Sequence, residues 1–269
     1  MNRYFENKVV VITGGGGGIG TALVDQLLVS NAKIAALDIN LDALTPSENL
    51  LPVTLDITDK DLLAHAVAQI HDHFGRIDIL INNAGVTHMR KFSDLSAELF
   101  DRVMAINFSA SVDITRLCLP HLLKTRGQIV AVSSVAGFAP LYGRSAYSAS
   151  KHAMQGFFGS LATELQDRGV SVTIISPSFV KSRPELQAKA SADLLSPGAT
   201  KKNTAGEQIA PDIAARLILK ATRKRHAYMY LGNVSKIARW LFALFPGTYL
   251  KVMTKGAREE FALGSDEVD

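Results

Sequence analysis

The chain has 269 residues, 47% of them hydrophobic, and a formal net charge of +4. That length suffices for one full α/β core, and the small, mostly dispersed positive charge argues against nucleic acid as a partner. The single cysteine, Cys118, excludes an internal disulfide and a thiolate metal site; set in an apolar helical stretch, it reads as a buried, inert thiol.

Residues 1–7 are polar and the apolar run behind them is only a strand long, so no signal peptide is visible and a cytoplasmic location is expected. That run, residues 9–12, leads into Thr13-Gly14-Gly15-Gly16-Gly17-Gly18-Ile19-Gly20 and then into a helical pattern over residues 21–28. A buried strand passing through a glycine turn into a helix suits a pyrophosphate. Glycine lets the backbone approach the ligand, and the helix N-terminus offers free N–H groups at a positive dipole end. A second run, residues 34–37, ends at Asp38, placed where an acidic side chain can bind both hydroxyls of an adenosine ribose.

Further strand-like runs follow at residues 51–55, 77–81, 128–133, 170–175 and 227–231, separated by helix-period segments. One such segment starts at Thr58-Asp59-Lys60-Asp61, shows an apolar face of Leu62, Leu63, Ala66, Val67 and Ile70, and stops at Gly75. Strands alternating with helices predict right-handed crossovers and a doubly wound parallel sheet of about seven strands, helices on both faces. Ligands on such a sheet bind at the carboxyl ends of the strands, where the winding reverses. No linker divides the chain, so residues 1–269 are expected to form a single dinucleotide-binding catalytic domain, with residues 177–206 as a substrate loop.

Tyr147 and Lys151 stand four apart in a helical segment and so share one face. A free tyrosine titrates near 10; a neighbouring ammonium stabilises the phenolate and lowers that value. Ser134, at the end of a predicted strand, is able to bond the same substrate oxygen. By spacing alone the Tyr-x-x-x-Lys pair reads first as an ordinary surface pair.

Together these residues resemble the short-chain dehydrogenase/reductase family: Thr13-Gly14…Gly18-Ile19-Gly20, Asp56, Asn82-Asn83-Ala84-Gly85, Asn107, Ser133-Ser134, Tyr147…Lys151 and Pro177, over about residues 5–235. The glycine run fits two registers. Gly14, Gly18 and Gly20 match the family's spacing, and Gly15, Gly17 and Gly20 the general dinucleotide pattern; Thr13 favours the first. The resemblance implies a Rossmann-like fold, Asp38 on the ribose, Asp56 on the adenine amino group and Asn83 along the cofactor. Asn82 and Asn83 also read as amides that satisfy a turn. The resemblance further implies Tyr147 as general acid/base, Ser134 positioning the carbonyl, and Lys151 tuning Tyr147 while binding the nicotinamide ribose. Asn107 would hold a water linking Lys151 to solvent, or else be a satisfied buried amide. Asp38 would repel a 2′-phosphate, so NAD is expected over NADP. Two positions depart from the pattern: Ser178 follows Pro177 in place of glycine, and Ser182 replaces the threonine that contacts the nicotinamide amide.

Residues 234–269 form an apolar and basic extension, too short and too interrupted by Pro246 and Gly247 to span a bilayer. It is expected to cover the substrate cleft or a partner subunit, with an interfacial amphipathic helix as the alternative. The leading expectation is an alcohol–carbonyl oxidoreductase for an apolar, lipid- or steroid-like small molecule, assembled as a homodimer or homotetramer. The alternatives are an oxidoreductase for a small polar substrate, such as a sugar or hydroxyacyl thioester, and a catalytically silent NAD-sensing or membrane-docking protein.

Overall fold

The strand β1 (Val9–Thr13) is buried at all five positions, as a central strand covered on both faces requires. The computed structural model describes residues 3–181 and 208–262, with side chains up to residue 256. After β1 come α1 (Gly18–Val29), β2 (Lys33–Asp38), β3 (Leu50–Thr54), α2 (Lys60–Phe74), β4 (Ile79–Asn82), α3 (Ala97–Met104) and α4 (Ala110–Thr125). The second half holds β5 (Gln128–Val132), α5 (Ser145–Leu165), β6 (Ser171–Pro177), α6 (Pro211–Arg223), β7 (Tyr228–Leu231), α7 (Asn233–Leu244) and α8 (Pro246–Ala262).

All seven strands form one parallel sheet in the order β3-β2-β1-β4-β5-β6-β7. The chain winds out from β1 to β3 and returns to β4 on the other side of β1. The winding therefore reverses between β1 and β4, and their carboxyl ends open the crevice where such sheets bind ligands.

Alternate residues of each strand feed different cores. Val9, Val11, Ala35 and Leu37 pack with Leu63, Val67 and Ile70 of α2, Ile114, Cys118 and Leu122 of α4, and Met154 and Phe158 of α5. Val10, Ile12, Ile34 and Ala36 pack with Leu23 and Leu27 of α1 and with Ala215 and Ile218 of α6. Each fully buried leucine or isoleucine contributes about 1.5–3 kcal/mol of apolar burial. Cys118 lies within the first core, where burial pushes its thiol up to about 12. It is an unreactive thiol at neutral pH.

Local signals set most boundaries. The Asp59 carboxylate accepts from the Asp61 and Leu62 amides at 3.0 Å and starts α2; Gly75, at φ 75°, ends it in the left-handed conformation. Two boundaries differ from the sequence pattern. α1 begins at Gly18, three residues before the apolar periodicity does, because the glycines themselves take helical geometry. β4 begins at Ile79, not Ile77, since the Asp78 side chain accepts from Val9 N at 2.9 Å while Arg76 bonds its other oxygen at 2.6 Å.

The extension forms a helical hairpin. Tyr249 and Ala238 pack against Val135 and Ala139, with Phe138, Leu141, Leu241, Phe242 and Met253 around them. Ser235 Oγ donates to Ser176 O at 2.8 Å and Tyr249 Oη to Pro140 O at 3.1 Å, fixing the hairpin to the ends of β6 and of the loop after β5. No helix among the described residues is long and apolar enough to cross a membrane.

Candidate active site

β1 delivers Thr13 and the glycine turn to the mouth of the crevice. Gly14 has φ +70°, and a Cβ there would lie 2.8 Å from the Ala84 Cα. A Cβ on Gly20 would collide with the Gly14 carbonyl, so these two glycines are demanded by the backbone itself. Gly18 differs: its nearest neighbours, Lys181 O and Pro211 Cγ, would stand 3.8 Å from a Cβ. Gly17 is the N-cap residue of α1 and gives no side-chain bond, and the first turn, with Gly18, Ile19 and Gly20, carries no acidic residue. The N–H groups and positive dipole end of α1 are left for an anion, which is the fit a cofactor pyrophosphate needs.

The turn is braced from two sides. Asp38, at the end of β2, accepts from Gly16 N at 3.0 Å and Asn40 N at 3.3 Å. Asn83, just beyond β4, donates from Nδ2 to Thr13 O at 3.1 Å and Gly14 O at 3.0 Å, while Thr13 Oγ1 accepts from the Asn83 and Ala84 amides. The Asn83 amide is thus engaged in holding the turn. Asn82 reaches the other way, to Thr115 Oγ1 at 3.1 Å. Asp56 is exposed beyond the end of β3, one oxygen taken by Thr58 N and Oγ1 at 2.9 and 2.7 Å.

The second half of the site hangs on α5. Tyr147 and Lys151 stand one turn apart, with Lys151 Nζ 6.0 Å from the Tyr147 ring centroid. Lys151 is only 3% exposed and donates to Val132 O at 2.9 Å; burial pulls its ammonium down to about 8. Ser134 follows β5, and its Oγ accepts from Ala136 N at 3.2 Å, which frees its hydroxyl proton to donate. Tyr147 is half-buried, and desolvation raises its phenol above the ordinary value. A hydrogen bond from Ser134 and the charge of Arg144 act in the opposite direction. Two cations thus stand near the phenol: Arg144, whose charge favours the phenolate, and Lys151, which also donates to the Val132 carbonyl.

Asn107 sits in a π-helical turn, Ala105–Ser109, inserted between α3 and α4. Its Oδ1 accepts from Val86 N at 2.8 Å, and its Nδ2 donates to Val86 O and Ser150 Oγ, each at 2.9 Å. Ser150 in turn donates to Tyr147 O at 2.8 Å. A Cβ on Gly85 would lie 3.3 Å from both Asn107 Oδ1 and Lys151 Nζ, so this glycine lets the two side chains face one small space.

Tyr147, Ser134, Lys151 and Asn107 are therefore brought together at the carboxyl ends of β4 and β5, beside the glycine turn. Ser182 and most of residues 177–206 lie outside the described residues. At the departure from the family pattern, Ser178 faces Gly232: a Cβ on that glycine would collide with Ser178 Oγ, and Gly232 adopts φ +83°. Residue-type patterns missed three neighbours. Arg144 donates to Thr87 Oγ1 at 2.6 Å, Ser150 joins Asn107 to α5, and His88 is fully buried, with burial and the charges of Arg144 and Arg90 holding it down to about 4. Arg144 and Ser150 were findable as neighbours of Tyr147 on one helix; His88 had no such signal.

A short chain dehydrogenase family model matches residues 8–194. The chain belongs to the short-chain dehydrogenase/reductase family. The mouse protein named dehydrogenase/reductase SDR family member 7B is 33% identical over 270 residues, covering 96% of this chain and 83% of that protein. A relative from Anopheles gambiae, named dehydrogenase/reductase SDR family protein 7-like, is 31% identical over 96% of this chain and 85% of its own length. A short chain dehydrogenase from Burkholderia cenocepacia, solved in complex with NADP, superposes with a TM-score of 0.79 at 24% identity, covering 93% of this chain and 98% of that one. The protein is thus a short-chain NAD(P)-dependent oxidoreductase acting on CH–OH groups.

Proposed function

We propose that this enzyme interconverts an apolar, lipid- or steroid-like alcohol and its ketone or aldehyde, with NAD as the preferred cofactor. The observation that carries the apolar reading is the α7–α8 hairpin. Its aromatic and aliphatic inner face packs on residues 135–141, the segment that follows Ser134, so the substrate side of the site is walled by hydrocarbon. Asp38 supports NAD: its carboxylate is fixed at Gly16 by a 3.0 Å bond, where it accepts from ribose hydroxyls and repels a 2′-phosphate.

The bound cofactor supplies or accepts the hydride. In reduction Tyr147 passes its phenolic proton to the substrate oxygen while the Ser134 hydroxyl donates to the same oxygen; in oxidation Tyr147 takes the alcohol proton. Lys151 binds the nicotinamide ribose and returns Tyr147 to its starting state. Asn107 is a positioning residue in this scheme: its amide clamps Val86 and Ser150, keeping Gly85 and the Tyr147 turn in register with Lys151. Gly14, Gly18, Ile19 and Gly20 cradle the pyrophosphate, Asp56 takes the adenine amino group, Asn83 borders the cofactor, and Ser182 reaches the nicotinamide amide. The whole chain works as one catalytic domain, with residues 177–206 as its substrate loop. The helices around residues 95–123 and 147–165 are the contacts of a dimer or tetramer.

A second reading, a small polar substrate such as a sugar or hydroxyacyl thioester, draws support from Arg144, whose charge acts on both Tyr147 and His88. A panel of primary and secondary alcohols of increasing chain length, assayed with NAD and with NADP, separates the two. The apolar reading requires kcat/KM to rise with chain length and NAD to be the better cofactor. A maximum at short, hydroxylated compounds overturns it.

A further inference from the structure

The outer face of the hairpin carries an apolar patch that the reaction does not use. Ile237, Trp240 and Leu244 follow one another at helical spacing on α7, and Phe245 continues the patch. Their exposures are 64, 66, 62 and 60%. Soluble monomers seldom leave so many large apolar side chains side by side in water. The opposite face of α7, with Ser235, Ala238 and Phe242, is the one fixed to the body of the enzyme, through the Ser235–Ser176 bond and the packing of Ala238 with Val135 and Ala139, while Phe242 meets Tyr249 of α8 at 5.3 Å within the hairpin. The outer face is therefore displayed by a helix already held in place. It is not a core face awaiting closure.

Charge selects the occupant. Residues 213–258 contain no Asp or Glu. Up to residue 256 the hairpin's cations are Lys236 and Arg239 on α7 and Lys251 and Lys255 on α8, all four exposed, and Lys251 and Lys255 share one face at i, i+4 spacing. A second copy docking symmetrically on this patch would bring the same cations against themselves, the hairpin's carboxylates, Glu259 and Glu260, coming only in the last turn of α8. A lipid surface answers both features, its phosphates meeting the lysines and its acyl boundary receiving Trp240, Phe245 and Leu244.

We propose that the α7–α8 hairpin docks the enzyme on an anionic lipid surface, with Ile237, Trp240, Leu244 and Phe245 in the acyl boundary and Lys236, Lys251 and Lys255 on the headgroups. Docked in this way, the loop after Ser134 lies directly behind the membrane-facing helix, so the site opens close to a reservoir of apolar substrate. The docking itself does not depend on the substrate reading.

Trp240 is the chain's one tryptophan and reports on the patch directly. The full-length protein is mixed with vesicles of phosphatidylcholine alone and of phosphatidylcholine with phosphatidylglycerol. On the anionic vesicles the protein is expected to float and Trp240 emission to shift to the blue, with both effects weak on phosphatidylcholine alone. Raising salt from about 0.1 M to about 1 M, which shortens the screening length from about 10 Å to about 3 Å, lowers the bound fraction. The double variant Lys251→Glu, Lys255→Glu lowers partitioning about tenfold or more, and Leu244→Glu weakens it at unchanged charge on the lysines. Absence of flotation and of a spectral shift for the unmodified protein on anionic vesicles overturns the proposal, whatever the variants do. So does a concentration-dependent sedimentation change that Leu244→Glu abolishes without any lipid binding, since the patch would then belong to a second copy.

Discussion

On the β1–β2 side of the winding reversal the site is made of backbone, and on the β5–α5 side it is made of side chains. The glycine turn presents uncapped N–H groups and tolerates almost no added atom at Gly14 or Gly20. Around Tyr147, by contrast, the candidate site is built from the side chains of Ser134, Arg144, Lys151 and Asn107, each held by hydrogen bonds to neighbouring main chain or side chains. A backbone cradle recognises a phosphate by shape and dipole, and only steric change damages it. A side-chain cluster manages a proton, and the loss of one oxygen or one charge disables it while the shape survives.

The largest expected effect tests the side-chain half. Tyr147→Phe keeps the ring and removes the transferable proton, so kcat falls about 10²-fold or more while calorimetric affinity for NADH stays within about threefold. Near-normal turnover would remove Tyr147 from the proton step and break the comparison.

The next tests the backbone half. Gly20→Ala forces a Cβ into the Gly14 carbonyl and is expected to weaken NADH binding by about 10- to 100-fold, the range of ordinary overpacking costs. Gly18→Ala has room and changes affinity by less than about threefold. Equal losses in the two variants would mean that glycine at 18 is needed for the ligand and not for the fold.

Lys151 offers a stability measurement. Burial lowers its ammonium from 10.5 to about 8, so between those values the unfolded chain binds the extra proton and native stability rises with pH. Relative to wild type, Lys151→Met is therefore more stable at pH 7 than at pH 10, by up to about 3 kcal/mol, in urea unfolding curves. A difference independent of pH would show that Lys151 keeps its ordinary value. The smallest effect is expected at Asp38: Asp38→Ser relieves repulsion of the 2′-phosphate and narrows the NAD preference by about tenfold. Tighter binding of NADP than NAD by the unmodified protein would place cofactor choice in a basic side chain elsewhere.

Most of the fold was legible because the sheet is buried on both faces. The apolar runs at residues 9–12, 34–37 and 128–133 fall within one or two residues of β1, β2 and β5, and the Asp59 and Gly75 signals bound α2 as they read. The start of β4 was not legible, because the Asp78 carboxylate takes over the Val9 amide, a contact across 69 residues of sequence. The residues of the site were legible as types at spacings, but their partners were not. Asn83 read equally as a cofactor contact or a turn amide, and its bonds to Thr13 and Gly14 carbonyls engage it in the turn.

By itself the sequence determined the sheet, its alternating helices, the glycine cradle and the membership of Tyr147 and Lys151 on one helix face, since periodicity and local backbone chemistry act within a few residues. Only the tertiary structure decided that Arg144 joins Lys151 near the Tyr147 phenol, that Lys151 is bonded to Val132, and that the extension's apolar residues divide into a face packed on residues 135–141 and a face left in water. Those outcomes depend on distances between segments far apart in the chain, and on burial, which no local pattern encodes.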